Sequence, residues 1–269
     1  VSIAFQNQFP DPGDMARVEA VAGTLVIGGD FDNLGRLNVN SGGTAIVSGH
    51  FIRGGRRQGA SLDNRGIVDV AAGGELLLGS AGSVWSSGIV ETRGDVVIAS
   101  GASLSNEGNL LVDHGGVLYA AGSLNNELGG DLINDGLVHI PFGGVVTNSG
   151  FFDHRENALL KGSGSFDGQT GTAAMKGLVA PGDTLGTLTY VGDFVQAPTS
   201  EISLELGGYD QGASYDLLDI TGEVVFEGAV SLEFLDGFTP VVGDSFKVIV
   251  HGTTKSRYET DFDCFGGLI

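Results

Sequence analysis

A single cysteine, Cys264, lies near the end of this 269-residue chain, so no disulfide can close within it. Its thiol is either inert or a cross-link between copies. Prolines number six and no Gly-X-Y period runs through the sequence, which excludes a collagen helix. Positive charge is scarce, with 13 Lys and Arg against 33 Asp and Glu and a formal net charge of −20. Phosphate backbones and anionic membranes need clustered cations, so nucleic acid is excluded as a partner. No apolar run reaches the roughly 18 to 20 residues of a membrane helix, so membrane insertion by this chain is not expected. No charged and apolar leader opens at Val1, and an exported chain would already have lost its signal. Long runs of the helix formers Ala, Leu, Glu, Lys and Gln are missing as well.

What is present is glycine, 47 residues of it, together with 41% hydrophobic residues. That is too much glycine for ordinary helices and too much apolar content for a disordered chain. Val, Ile, Leu, Thr and Phe alternate with small or polar residues between Gly and Asn, the pattern of many short strands.

The strands fall into register. Leu62, Leu76, Val90, Leu104, Leu118, Leu132, Val146 and Leu160 follow one another at a constant spacing of fourteen positions (76−62, 90−76 and so on). The thirteenth position of each unit reads Gly74, Gly88, Ala102, Gly116, Gly130, Gly144 and Ala158, a site that accepts nothing larger than a methyl group. Asn-x-Gly recurs at Asn64 and Gly66, Asn106 and Gly108, Asn134 and Gly136, and Asn148 and Gly150, with Thr92 and Gly94 as a variant. An earlier copy carries Asn33, Gly35, Gly42 and Gly43, and the unit opened by Ala45 is longer by three (62−45 is 17), with the insertion around RGGRRQG.

Asn and Gly accept tight-turn and left-handed backbone cheaply, so Asn-x-Gly reads as one corner and Gly-Gly as another. Between corners the side chains alternate: Leu37 and Val39 against Asn38, Val68 and Val70 against Asp69, Leu110 and Val112 against Leu111, Val138 and Ile140 against His139. Units this short cannot bury an apolar face alone and must stack, which predicts an all-β fold, a β-helix or β-solenoid. Leu104 and Leu118 are expected at equivalent inward places in successive units, and stacked Asn side chains are expected to form a hydrogen-bonded ladder. The rung length stays open, a full turn using one or two units.

The organisation read from these patterns is an N-terminal cap or exchanged segment over 1–23, the fourteen-position register over 24–161, and a C-terminal solenoid region with longer strands over 162–269. In that last region Ile202, Leu204 and Leu206 alternate with Glu201, Ser203 and Glu205, and Val230, Leu232 and Phe234 repeat the pattern. The strings APGDTLGTLTYVGDFVQ (180–196), LELGG (204–208) and YDLLDITGEVVFEGAVSLEFLDGFTPVVGDSFKVI (215–249) resemble the C-terminal part of autotransporter-type passenger domains and related secreted bacterial β-solenoids. The resemblance implies a right-handed β-helix displayed outside a bacterial cell and used for adhesion, surface coating or assembly. The chain ends at DFDCFGGLI without the strands of a membrane barrel, so the expectation is a removed anchor or a released, self-assembling protein.

Candidate sites are few. His50, His114, His139, His154 and His251 include two Asp-His neighbours, Asp113-His114 and Asp153-His154, but adjacent strand residues point to opposite faces, and no catalytic couple is expected. Arg53, Arg56, Arg57 and Arg65 form the one dense positive cluster, in the inserted loop, and could contact an acidic glycan or another subunit. No zinc, EF-hand or β-roll calcium spacing occurs. Asp210, Asp216 and Asp219 could hold calcium weakly, and no other cofactor is expected. Neither a G-x-S-x-G elbow nor a phosphate-binding Gly-Lys loop is present. The expectation is therefore a non-enzymatic, secreted, cell-surface protein with a structural or adhesive role. Its partner would be itself, head to tail, or a cell-surface glycan, and a carbohydrate-binding or polysaccharide-cleaving β-helix is the alternative.

Overall fold

The computed structural model describes residues 17–254 apart from 49, 54, 55 and 169. These residues form strands, turns and bends, with no helix long and apolar enough to cross a membrane. The chain winds as a parallel β-solenoid with three strands to a turn, and each strand pairs with its counterpart one turn away. The result is three long parallel sheets of eleven, ten and ten strands among the described residues. The first sheet opens with Arg17–Ala20, the second with Thr24–Ile27 and the third with Asp30–Asn33. All three run on through the C-terminal part of the described chain, as far as Thr253–Thr254, Ala229–Phe234 and Ile249–Val250 respectively.

The period-2 alternation does what the sequence predicts. Leu62, Leu76, Val90, Leu104, Leu118, Leu132, Val146 and Leu160 are all buried in one continuous core. The rung, however, is longer than the sequence unit of fourteen. Leu62 pairs with Val84, Val84 with Leu104, Leu104 with Leu124 and Leu124 with Val146, so successive turns advance the chain by 84−62, 104−84, 124−104 and 146−124, which is 22, 20, 20 and 22. From Leu104 onward the inward residues Leu104, Leu110, Leu118, Leu124, Leu132, Val138, Val146, Phe152 and Leu160 are separated by alternate steps of six and eight. A short corner, Asn-Glu-Gly after Leu104 and Ser105, alternates with a long one, Asp-His-Gly-Gly after Val112. Fourteen is thus one short side plus one long side, two of the three sides of a turn, and three such units make two turns, one of 22 and one of 20. Leu104 and Leu118 are both inward, but they lie on the third and second sheets and are not stacked on each other.

The insertion is also larger than three. Ala45 is on the second sheet and Leu62 on the third, a step of one side, which takes eight positions between Leu76 and Val84 (84−76) but seventeen here (62−45). The extra nine belong to an antiparallel hairpin, His50–Arg53 with Arg56–Gly59, standing between two sides of a turn.

The thirteenth-position glycines lie where the chain leaves a corner and enters a strand. A Cβ on Gly116, Gly130 or Gly144 would fall on the backbone carbonyl of Thr92, Asn106 or Ala120 in the turn below. The preceding residue, Gly115, Gly129 or Gly143, has φ of +83°, +91° and +83°, the left-handed backbone for which glycine carries no Cβ penalty. One glycine of the pair makes the corner and the other lets the next turn approach.

The expected asparagine ladder runs along the edge between the third and first sheets. Asn33 donates to Asn64 Oδ1 at 2.8 Å, Asn64 to Ser86 Oγ at 3.0 Å, Asn106 to Asn126 Oδ1 at 2.8 Å and Asn126 to Asn148 Oδ1 at 2.8 Å. Each amide also donates to a backbone carbonyl past the corner of the next turn, as Asn106 does to Asp131 O and Asn126 to Phe151 O. All six side chains are buried, so the ladder satisfies donors and acceptors that would each cost about 1–3 kcal/mol unpaired. It has one break: the Ser86 hydroxyl is too short to reach across the rung spacing, and Asn106 Oδ1 is buried without a partner among the described residues. Asn126→Ala should therefore lower unfolding stability by about 2–3 kcal/mol, while Ser86→Asn, which closes the break, should raise it by about 1 kcal/mol, both read by urea denaturation. An unchanged midpoint for Asn126→Ala would show that the ladder contributes nothing.

Candidate functional surface

With the inward positions given over to packing, chemistry is left to the outward ones. The first sheet carries charged clusters among outward apolar residues such as Ile89, Leu111 and Ile133. Asp69 accepts from Arg36 at 2.7 Å and from Arg93 at 2.8 Å, which outweighs its partial burial and holds its carboxyl below the usual range. Asp153 takes Lys176 at 2.7 Å and Arg155 at 3.4 Å. Glu91 is held above its ordinary value by partial burial and by the neighbouring Asp113 carboxyl. On the second sheet Ile46, Leu77, Val97 and Tyr119 lie half-buried in one outward file, which continues as His139 and Lys161, and the file beside it holds Thr44, Glu75 and Asp95.

The third sheet is lined with hydroxyls. Ser61, Ser83, Ser103 and Ser123 make one outward file, and Asp63, Trp85, Ser105 and Asn125 make the next. Between them lies an open groove of about 300 Å³ lined by Ser61, Asp63, Ser83, Trp85, Ser103 and Ser105. Trp85 is 36% exposed and lines this groove, and its Nε1 donates to Glu107 Oε1 at 3.1 Å, which ties down one edge of the indole. Asp63 Oδ2 accepts from Arg65 at 2.6 Å, while Asp63 Oδ1 is buried without a partner among the described residues.

The sequence-derived candidates fare differently. Arg53 and Arg56 are paired across the hairpin, with Arg57 beside them, but the side chains of these three lie outside the described residues. Arg65 is exposed at a corner and engaged by Asp63. Asp210, Asp216 and Asp219 are not brought together: Asp210 sits in an exposed loop, Asp219 faces outward on Leu217–Ile220, and Asp216 is buried. Asp216 accepts from the backbone N–H of Gly186 at 2.8 Å and of Glu205 at 2.9 Å, yet burial outweighs these bonds and pushes its carboxyl up to about 7. Among the described residues no three His, Cys, Asp or Glu side chains gather as a metal site. Cys264 and His50 lie outside the residues whose side chains are described.

Asp153 and His154 separate as expected, one outward and one buried, whereas Asp113 and His114 both lie in the corner after Asn109–Val112, and two other contacts arise that sequence order hides. His139 meets Asp183, 44 residues on, and packs its edge against Tyr119 with ring centroids 4.9 Å apart, pinning the loop after Leu178–Pro181 to the second sheet. His154 is wholly buried and belongs to a second, shorter ladder: Asn134 Nδ2 lies 3.1 Å from its Nδ1, and Leu178 O lies 3.0 Å from its Nε2. The carbonyl can only accept, so Nε2 carries the proton and Nδ1 receives the amide.

No family model matches this sequence, and no curated protein matches it either. Among solved structures, four chains match, and one of them is described as a TibC-catalysed hyper-glycosylated TibA fragment. It is 14% identical over 88% of this chain and 97% of that one, with a TM-score of 0.30.

Burial lowers the His154 pKa to about 4, against about 6.5 in an unfolded chain. The unfolded state binds the proton first, so the contribution is complete above about pH 6.5 and is lost as pH falls towards about 4, to a total of about 3 kcal/mol. His154→Asn keeps a ladder acceptor for Asn134 but cannot titrate. Between about pH 7.5 and about pH 4.5 it should lose about 2–3 kcal/mol less stability than the parent, as measured by urea denaturation at both pH values. Equal losses would show that His154 is not held neutral.

Proposed function

We propose that this chain is the displayed β-solenoid of a secreted bacterial surface protein, with a structural or adhesive role and no catalytic one. The observation that carries this reading is the division of labour in the stack. Three continuous sheets close an apolar core along the described chain, and their outward faces vary freely in charge, hydroxyls and apolar residues over it. A parallel stack presents the same backbone spacing at either end, so one copy can continue another by strand addition, and head-to-tail assembly follows as the partner reading. The acidic coat opposes that contact, since each copy carries a formal charge of −20.

Negative-stain imaging with sedimentation tests this directly. Rods longer than one chain, lengthening with protein concentration and from low salt to about 0.5 M as the repulsion is screened, are expected. Discrete rods of constant length under all these conditions would remove the assembly reading.

A carbohydrate-binding role is the second reading, favoured by the Trp85 groove with its file of hydroxyls. Cleavage has less support: the neighbouring carboxyls of Glu91 and Asp113 belong to the first-sheet side, whereas the groove is on the third sheet. The expected weak calcium site loses its buried member, Asp216, to backbone hydrogen bonds.

A further inference from the structure

We infer that the groove beside Trp85 is a subsite for one uncharged hexopyranose residue of a glycan. This deepens the carbohydrate-binding reading by naming the site and the ligand class. A pyranose has an apolar C–H face and a rim of hydroxyls, and the groove offers the complement of both. Trp85 lines the groove and is partly exposed, with Asp63 and Ser105 its register neighbours in the turns on either side. The Ser61, Ser83 and Ser103 hydroxyls flank it along the sheet. Ser61 Oγ already donates to Asp30 Oδ1 at 2.6 Å and is left as an acceptor, while the Ser83 and Ser103 hydroxyls can each donate one hydrogen bond and accept two, which suits ligand hydroxyls that do the same. Asp63 borders the same groove, its Oδ2 held by Arg65 and its Oδ1 shielded from solvent.

Charge selects the class of sugar. Arg65, the cation beside the groove, is already neutralised by Asp63, and Glu107 stands at the indole edge within a strongly acidic chain. A uronate, sialylated or sulfated residue would meet net repulsion with no free cation among the described residues of the groove to offset it. The groove is open and small, so a single sugar should bind with a dissociation constant on the order of millimolar, and useful adhesion would come from many copies on one surface.

Trp85 is the one tryptophan in the chain, so intrinsic tryptophan fluorescence reports on this groove alone. The intact protein is titrated with the methyl glycosides of glucose, galactose, mannose and N-acetylglucosamine, and with methyl galacturonoside, each to about 100 mM. At least one neutral glycoside should give a saturable change, weakened about three- to tenfold by Asp63→Asn and by Ser105→Val, with galacturonoside giving none. Circular dichroism and the thermal midpoint should be unchanged in both variants, which replace outward side chains. The inference is overturned if no neutral glycoside gives saturation, if galacturonoside binds as well as the neutral sugars, or if the response survives both substitutions. Since rod formation is read by imaging, failure here leaves the assembly reading standing, and the reverse holds too.

Discussion

Parallel hydrogen bonding between turns sets the distance from one rung to the next at about 4.8 Å, and everything else in this molecule is fitted to that distance. Strand Ser103–Asn106 lies directly beneath Ser123–Asn126, residue over residue, so whatever occupies one inward place decides what can occupy the next. Leucine over leucine fills the core without a gap. Asparagine over asparagine is also allowed, because an amide carries a donor and an acceptor spaced to bridge one rung. Glycine at positions such as 116 and 144 is required, because at that spacing a Cβ would meet the carbonyl below. Serine at position 86 is the exception that shows the rule: it accepts from one side and cannot reach the other, leaving Asn106 Oδ1 without a partner among the described residues.

The same constraint explains what the sequence can and cannot disclose. The inward set, the small corner residues and the stacked asparagines are legible, because each follows from local alternation and turn chemistry. The rung length is not. Each fourteen positions hold one short and one long side while the sides of a turn number three, so the pattern of residue types recurs every fourteen positions whereas the chain returns to the same sheet after 20 (104−84) or 22 (84−62). Taking fourteen as the unit also disguises the size of the insertion before Leu62, since a step of one side is then measured against a step of two. Without the rung length, lateral neighbours are invisible. Nothing in the local sequence links Trp85 to Asp63 and Ser105, or His139 to Asp183, yet offsets of 22, 20 and 44, about one turn, one turn and two turns, bring them together.

Buried polar groups show how far the stacking rule extends. His154 occupies an asparagine place in the second ladder and is tolerated because its two nitrogens can act as an acceptor and a donor at once, provided it stays neutral. The aromatic cluster of Phe152, Phe166, Tyr190 and Phe194 takes over the core where the turns lengthen: Phe166 pairs with Tyr190 after an advance of 24 (190−166) and Leu188 with Leu218 after one of 30 (218−188). The added residues of these turns lie in the loops 182–186 and 207–216, outside the strands, and the rings pack on one another within the same core. Burial holds the Tyr190 phenol far above its usual range, as expected for a group used as core.

Outward positions escape this discipline. They answer to solvent and to their lateral neighbours, so an Asp, a Trp and a Ser can succeed one another at positions 63, 85 and 105 while Leu62, Val84 and Leu104 beneath them hardly change. Such a scaffold separates stability from recognition more completely than a globular domain, where a binding residue commonly has a neighbour in the core. Its drawback is shallowness: a flat sheet face offers a groove and not a pocket, so recognition built on it is weak at each site. A protein constrained in this way gains strength from repetition, through many copies side by side on a surface or end to end in a rod, and that is the physical ground on which the adhesive and the assembling readings meet.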